Sequence, residues 1–482
     1  MAFRLAPLVV LVAACHKEWS SPTDTDDTDG ASDTDTDSPT DTDTDTTPVT
    51  DHLTDVSSRL HETYPTIVIV SWTQTEDASV HVEYSFDAGV WLSSPVRELA
   101  AGPHEELLLG IPYGMTATWK IVAVEGDATV TTPEATIDTG PVPATLPAAV
   151  VGASDPAGWD ATTPYVYVGL VETDGDFGGR WWAILMDRQG RAVWGSRSSL
   201  SMIHMHPRLT WNEDALLLDQ NNYWGDFGSG GAASSVSKIL IDGTVLETWM
   251  TPGLHHDYTD MPDGSLAYGA IQFGYGDERL VVLHPDGTSS DLFSCDDFLN
   301  DIGEGNDACG SNTLSYNEAT NKFMFSLFTV EAIVEVDATT GAYDKWFGHV
   351  LGSWDFDPPQ SIFWYQHGGY VTPEGTLITS THTEDRPPGG ENVAREYTLD
   401  AAATTLHNTA TYGLGDGVYG DQMGEAHKLS NGNVILNYGT LARLREYKPD
   451  GTVVWDIWWP QSSDVGRSAP VHDLYALAPP RL

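Results

Sequence analysis

His256-Asp257-Tyr258-Thr259-Asp260-Met261-Pro262-Asp263-Gly264-Ser265-Leu266-Ala267-Tyr268 reads as a strand, a Pro-Asp-Gly turn and a second strand. His256 stands eight positions ahead of Gly264, and the same offset links His206 to Asp214, Asn312 to Thr320 and His367 to Gly375. Equivalent positions of a repeat occupy equivalent places in space. In a closed ring these four side chains are expected to converge on one axis and form a polar channel there.

A second series of turns, each leading into a strand, recurs at roughly fifty-residue intervals. It comprises Asp187-Arg188-Gln189-Gly190 before Val193-Trp194, Asp242-Gly243 before Val245, Pro285-Asp286-Gly287, Asp337 to Gly341, and Pro449-Asp450-Gly451 before Val453-Val454-Trp455. Tyr397-Thr398-Leu399-Asp400 is a weaker copy. These make six units of several strands each, which predicts an all-β, six-bladed β-propeller over 150–482. Val471 to Leu477 is the expected closing strand. Abundant glycine and tryptophan, without long helical periodicity, agree with an all-β class.

The formal net charge is −48, from 70 acidic and 22 basic residues. No basic stripe is present to displace counterions, so nucleic acid is excluded as a partner. Residues 21–51 are a Thr-Asp repeat with proline, unable to bury apolar surface, and 15–51 reads as an extended tether. Ahead of it, Arg4 precedes the short apolar run Leu5 to Ala14, closed by Val12-Ala13-Ala14-Cys15. Residues 1–14 resemble a bacterial lipoprotein signal, which implies cleavage before Cys15 and lipid on its sulfur. The run is too short to span a bilayer, so membrane attachment is expected through the lipid alone. An exported lipoprotein, anchored at the outer membrane in the periplasm or on the cell surface, is the expectation. In an oxidising compartment Cys295 and Cys309 are expected to pair, with two free thiols as the alternative. They lack the neighbouring histidines of a zinc site, and no metal or cofactor is expected.

Thr66-Ile67-Val68-Ile69-Val70-Ser71-Trp72, Val80-His81-Val82-Glu83-Tyr84 and Ala117-Thr118-Trp119-Lys120-Ile121-Val122-Ala123-Val124 are short strands of a small β-sandwich over 52–140. With its early Trp72 and the Gly110-Ile111-Pro112-Tyr113-Gly114 turn, this segment resembles a fibronectin type III domain.

Three further segments carry a second resemblance. His255-His256-Asp257-Tyr258 leads to Pro262-Asp263-Gly264. Gln366-His367 leads to Pro373-Glu374-Gly375-Thr376-Leu377-Ile378, then to Arg395-Glu396-Tyr397. Ala426-His427-Lys428-Leu429-Ser430-Asn431-Gly432 continues to Glu446-Tyr447. The propeller half resembles the bacterial arylsulfate sulfotransferase family. That resemblance implies transfer of a sulfuryl group from an aryl sulfate to a phenol through a sulfohistidine, with no soluble nucleotide donor. By motif it marks His256, His367 and His427 as catalytic histidines, Arg386 as a catalytic arginine and Arg395 as an outer, substrate-binding arginine. Two departures stand out. Arg386 follows Ser380-Thr381-His382-Thr383-Glu384-Asp385 in place of the family's turn, and His427 lies five residues before Gly432, where Gly424 holds the register.

The chemistry suits these residue types. Neutral imidazole is nucleophilic near neutral pH, and arginine is a permanent planar donor for sulfuryl oxygens. His206 shares the register and is read as substrate-binding, with Tyr365, Trp364 and Tyr258 as aromatics able to stack on a ring. His255 is expected to face away from His256, because neighbours on a strand alternate. His472 is assigned to the closing strand. A non-catalytic surface binding module fits the tether and sandwich equally well. A quinone-dependent dehydrogenase propeller is suggested only by the Gly-x-x-Val-Trp turns. Monomer and homodimer both remain open.

Overall fold

A computed structural model describes residues 52–126, 128–271, 277–305, 309–385 and 390–480. The signal over 1–14, Cys15, the tether over 15–51 and Arg386 lie outside the described residues.

The first described layers form a β-sandwich. Leu53–Leu60, Val68–Gln74 and Gly102–Leu108 make one sheet. Val90–Ser93, Ala78–Asp87, Thr116–Glu125 and Ala128–Thr131 make the other, joined by the short strands Arg97–Leu99 and Ala135–Asp138. Alternation drives the packing: Val80, Val82 and Tyr84 face inward from one strand, Ala117, Trp119, Ile121 and Ala123 from its neighbour. Trp72 fills the space between them.

Six blades of antiparallel strands follow, the fifth with an added parallel edge strand, Asp355–Asp357. From the axis outward, the second blade is Arg208–Leu209, Leu216–Gln220, Ser235–Ile239 and Val245–Met250. The third is Leu254–Asp260, Leu266–Ile271, Glu278–Leu283 and Ser289–Ser294. The fourth runs from Ser311–Asn317 to Tyr343–Gly348, and the fifth from Trp364–Val371 to Thr405–Tyr412. The sixth runs from Glu425–Lys428 to Val453–Trp458. The first blade is composite: Tyr165–Val171, Trp181–Asp187 and Ala192–Arg197 take their innermost partner, Val465–Val471, from the far end of the chain. Val150–Ser154 in turn adds an outer strand to the sixth blade. Both ends of the propeller thus cross the same seam and hold it shut. The closing strand therefore ends where the sequence expectation began. Beyond Val471, Leu474 and Leu477 pack instead with Trp194 and Leu109, between propeller and sandwich.

All six turn markers fall at one place, the hairpin between the third and fourth strands of a blade. Five use a glycine with positive φ there, from Gly190 to Gly451. The weaker copy after Asp400 puts Thr404 at φ 49° instead, which explains its poor match. The Val-Trp pairs that follow two of the turns are rivets between blades. The Trp194 indole donates to the Ile241 carbonyl at 2.8 Å, and the Trp455 indole donates to the Arg188 carbonyl at 2.8 Å. Their presence is explained by packing rather than by a quinone.

The seam also buries an ion pair. Arg188 Nη1 lies 2.8 Å from Glu446 Oε2, and both side chains are almost fully enclosed. Arg188 Nε donates to the Thr163 carbonyl at 2.8 Å, and its guanidinium rests 4.8 Å from the Trp455 ring. Removing one member leaves the other charge buried and unpaired. Arg188→Ala is expected to cost about 3–5 kcal/mol of folding stability, measured by urea denaturation against the parent.

Candidate functional site

On each innermost strand, or just ahead of it, one backbone position comes to the axis. In blade order these are Arg467, His206, His256, Asn312, His367 and Gly424, the second and the last lying ahead of their strands. His206, His256, His367 and Arg467 enclose a small void with Met205, Met423 and Gly466. His256, His367 and Met423 also line a larger cavity of about 400 Å³, whose walls include Trp224, Phe177 and Phe328. The strands are irregular where they carry these groups. Pairing slips between Leu254 and Tyr258, between Ser311 and Thr313, and on both sides of His367. Such bulges re-aim side chains. Tyr365 and Met423, both beside the cavity, hold left-handed backbone at φ 49° and 63°.

The slip in the third blade overturns one expectation. His255 does not face away from His256: both line the cavity, and their Nδ1 atoms lie 3.0 Å apart. The ring of His255 stacks on Trp224 at 5.1 Å, and the Trp224 indole donates to the His255 carbonyl at 2.5 Å. Trp224 sits on the short helix Asn222–Gly225, capped by the Asn221 side chain.

A charged layer adjoins the histidines. Arg208 grips the Asp257 carboxylate with two donors, Nε at 2.7 Å and Nη2, and approaches Glu425 at 3.4 Å. Arg467 donates to the Asn312 carbonyl, to the Gly424 carbonyl at 3.0 Å and to Thr313 Oγ1 at 2.8 Å, with Asp257 at 3.8 Å. Two guanidiniums therefore meet two carboxylates. Burial alone would raise the Asp257 and Glu425 carboxyls. Opposite charges outweigh it: Arg208 and Arg467 hold Asp257 low, and His427, Arg208 and Arg467 hold Glu425 well below the carboxylate range.

The three axial histidines are neutral, because burial penalises the imidazolium. It holds His206 and His256 well below their usual value and takes His367 down to about 3, with Arg467 adding to the effect on each. Their partners fix the protons. His367 Nδ1 lies 3.0 Å from the Tyr365 carbonyl, which only accepts, so Nδ1 carries the hydrogen and Nε2 the lone pair. His206 Nδ1 faces Asp219 Oδ2 at 3.4 Å. Burial pushes the Asp219 carboxyl up to about 6 even though it accepts the backbone N–H groups of Met205 and His206.

His206, His256 and His367 are thus brought together, and six sequence assignments are relocated. His427 turns onto Glu425 at 3.2 Å and toward Tyr370, outside the cavity lining. Arg395 lies on the third strand of its blade and donates to the Ile362 carbonyl at 2.5 Å, away from the axis. Tyr365 contributes its carbonyl, while its ring packs near Phe328 and His382. Trp364 packs tilted against His349 at 4.0 Å and Tyr258 donates to the His206 carbonyl, so the aromatic walls come from other residues. His472 lies past the end of the closing strand, 2.6 Å from the Thr162 carbonyl. Cys295 and Cys309 form a disulfide, and Cys309 borders the cavity. Among the described residues no group of three or more His, Cys, Asp or Glu is placed to hold a metal, and no helix is long and apolar enough to cross a membrane.

No family model and no curated protein matches this chain. Among solved structures, a 6-phosphogluconolactonase candidate from Bacteroides uniformis is similar at 14% identity, with 82% of this chain and 100% of that one covered and a TM-score of 0.38. A periplasmic gluconolactonase from Pseudomonas aeruginosa is similar at 12% identity over 64% of this chain and 99% of its own, with a TM-score of 0.36. A β-propeller domain from Myceliophteria thermophila is similar at 12% identity over 66% and 87%, with a TM-score of 0.39. The fold stands on the strand order above, and the chemistry on the residues of this chain.

The depressed imidazoles have a signed consequence. An unfolded histidine takes up a proton near pH 6.5 that folded His367 refuses until about pH 3. Its contribution to stability is therefore complete above about pH 6.5 and drains away as the pH falls toward 3. His206 and His256 act in the same direction, whereas Asp219 opposes them. Between about pH 7 and pH 4 the melting temperature of His367→Gln is expected to fall less than the parent's.

Proposed function

We propose that the chain moves a sulfuryl group from an aryl sulfate to a phenol in the axial cavity, with His367 as the nucleophile. One observation carries the reading: His367 is a neutral imidazole whose Nδ1–H is tied to the Tyr365 carbonyl, leaving its Nε2 lone pair beside an aromatic-walled cavity. The motifs around His256 and His367 support it independently through their resemblance to the arylsulfate sulfotransferase family.

In the first half-reaction Nε2 attacks sulfur, the bond from sulfur to the aryl oxygen breaks, and the leaving oxygen takes a proton. In the second, an acceptor phenol attacks the sulfohistidine, loses its proton and restores the free imidazole. Trp224, Phe177 and Phe328 offer faces for the aryl ring. Both substrates are small molecules. Export and a lipid anchor on Cys15 are part of the proposal and rest on the amino-terminal sequence alone.

A second reading, binding of an uncharged aromatic ligand without chemistry, is favoured by a specific feature. The Arg467 guanidinium is already engaged by two carbonyls, a hydroxyl and a carboxylate. The lining of the larger cavity contains no arginine or lysine among the described residues. Nitrophenyl sulfate distinguishes the readings. Transfer predicts that nitrophenol release beyond one equivalent per chain requires an added phenol, and His367→Ala is expected to reduce that turnover at least about a thousandfold. Full activity of that variant would remove His367 from the chemistry. Sustained turnover without an acceptor would identify a sulfatase, and no release, with a raised melting temperature on adding a phenol, would favour binding.

A further inference from the structure

Glu278, on the third strand of the third blade, is fully buried. Its Oε1 accepts from Ser311 Oγ at 2.6 Å. Its Oε2 accepts no hydrogen bond and lies 3.5 Å from His255 Nδ1. Among the described residues no arginine or lysine pairs with this carboxylate. Every other carboxylate near the axis is treated differently: Asp257 and Glu425 are matched by guanidiniums, and Asp219 accepts two backbone N–H groups. A buried unmatched carboxylate is costly, and the nearest group able to offset it is a proton on His255. The Trp224 face stacked on the His255 ring favours that charge. His255 is also linked to the axis, because its Nδ1 lies 3.0 Å from Nδ1 of His256.

We propose that Glu278, His255 and His256 form a proton relay that protonates the leaving phenolate and later deprotonates the acceptor. It rests on the sulfuryl-transfer reading. At rest His255 is an imidazolium balanced by Glu278, its Nδ1–H directed at His256 Nδ1, and His256 carries its own hydrogen on Nε2. As the bond from sulfur to the aryl oxygen breaks, the His256 Nε2 proton passes to that oxygen, and the His255 Nδ1 proton passes to His256 Nδ1. Both rings are then neutral: His255 keeps its Nε2 hydrogen, and His256 presents an Nε2 lone pair. In the second half-reaction His256 Nε2 takes the acceptor's phenolic proton while the acceptor oxygen bonds to sulfur and the nitrogen–sulfur bond at His367 breaks. The Nδ1 proton returns to His255, and the protons balance over the cycle. His256 is the group that would touch substrate, and Glu278 and His255 are positioning residues. Neighbouring rings and charges act on the relay from other elements. His206, His367 and Arg467 face His256 from the second, fifth and first blades, and Trp224 and Tyr223 face His255 from the short helix.

The relay matters most when the leaving phenolate is basic. Glu278→Gln keeps the size of the side chain and an oxygen for Ser311. The burst of phenol release on mixing the full chain with donor isolates the first half-reaction. With nitrophenyl sulfate, a good leaving group, the variant's burst is expected within about threefold of the parent's. With phenyl sulfate it is expected to fall about a hundredfold or more. Equal effects on both donors, or none on either, would overturn the relay. Nitrogen NMR of the parent gives a test that needs no turnover. At about pH 7 the His255 signals, identified by their loss in His255→Gln, are expected to show two protonated nitrogens, and E278Q only one. A neutral His255 in the parent overturns the relay whether or not E278Q folds. If the parent transfers no sulfuryl group but His255 is charged, the transfer reading fails while the charge pairing stands.

Discussion

Arg467 ties the ring to its own centre. It sits on Val465–Val471, the strand that closes the propeller, and its guanidinium crosses the axis to the Asn312 carbonyl, the Gly424 carbonyl and Thr313 Oγ1. One side chain from the first blade thus touches the fourth and sixth, with the Asp257 carboxylate of the third close by. A buried guanidinium is tolerable only when its donors are met, so those positions are mutually constrained. The next residue extends the constraint, since the Ser468 N–H donates to Glu425 Oε2 at 3.1 Å. Loss of the closing strand would expose the seam and would also leave Asp257 and Glu425 with Arg208 as their sole arginine at the axis.

This layer explains the state of the histidines above it. Desolvation keeps His206, His256 and His367 neutral, and the Arg467 guanidinium acts in the same direction on each, opposed by Asp257 and Glu425 at His206 and by Glu425 at His367. Neutrality is what a nitrogen nucleophile or base requires, and here it comes from burial rather than from a neighbouring base. Charge is deliberately uneven only off the axis. Asp219 holds a proton more readily than an ordinary aspartate, and Glu278 faces His255 without a guanidinium.

Much of the fold was legible because its punctuation is local. The third-to-fourth hairpins announce themselves through Asp-Gly pairs that need positive φ, and the first-to-second hairpins through the eight-residue offset that found His206, His256 and His367. The failures share a cause: they depend on contacts between distant segments. Arg467 occupies the axial position of the first blade, but its strand pairs with Tyr165–Val171, some three hundred residues earlier, so no turn follows at the expected offset. His255 broke the alternation rule because the pairing slips between Leu254 and Tyr258, and nothing in His255-His256-Asp257 signals that slip. The motif marks His427 and Arg395 by their neighbours along the chain, which say nothing of direction in space. The acidic residue directly after the axial position, Asp257 in the third blade and Glu425 in the sixth, was a readable signal for the charged layer.

Unmet polar groups occur in the site and in its scaffold alike. Between blades the Trp194 and Trp455 indoles find partners, whereas Trp249 Nε1 and the Tyr167 hydroxyl are buried without hydrogen bonds. Around the axis, Glu278 Oε2 and His204 Nε2 are buried without hydrogen bonds, and Tyr365 and Met423 hold left-handed backbone. A scaffold selected for stability alone would replace such groups with apolar ones at little cost. Beside imidazoles kept neutral and aromatic walls, such groups trade stability for chemistry. The ring closure is what makes that trade tolerable. Strands from both ends of the propeller lock the seam, and the axial groups are held from several blades at once.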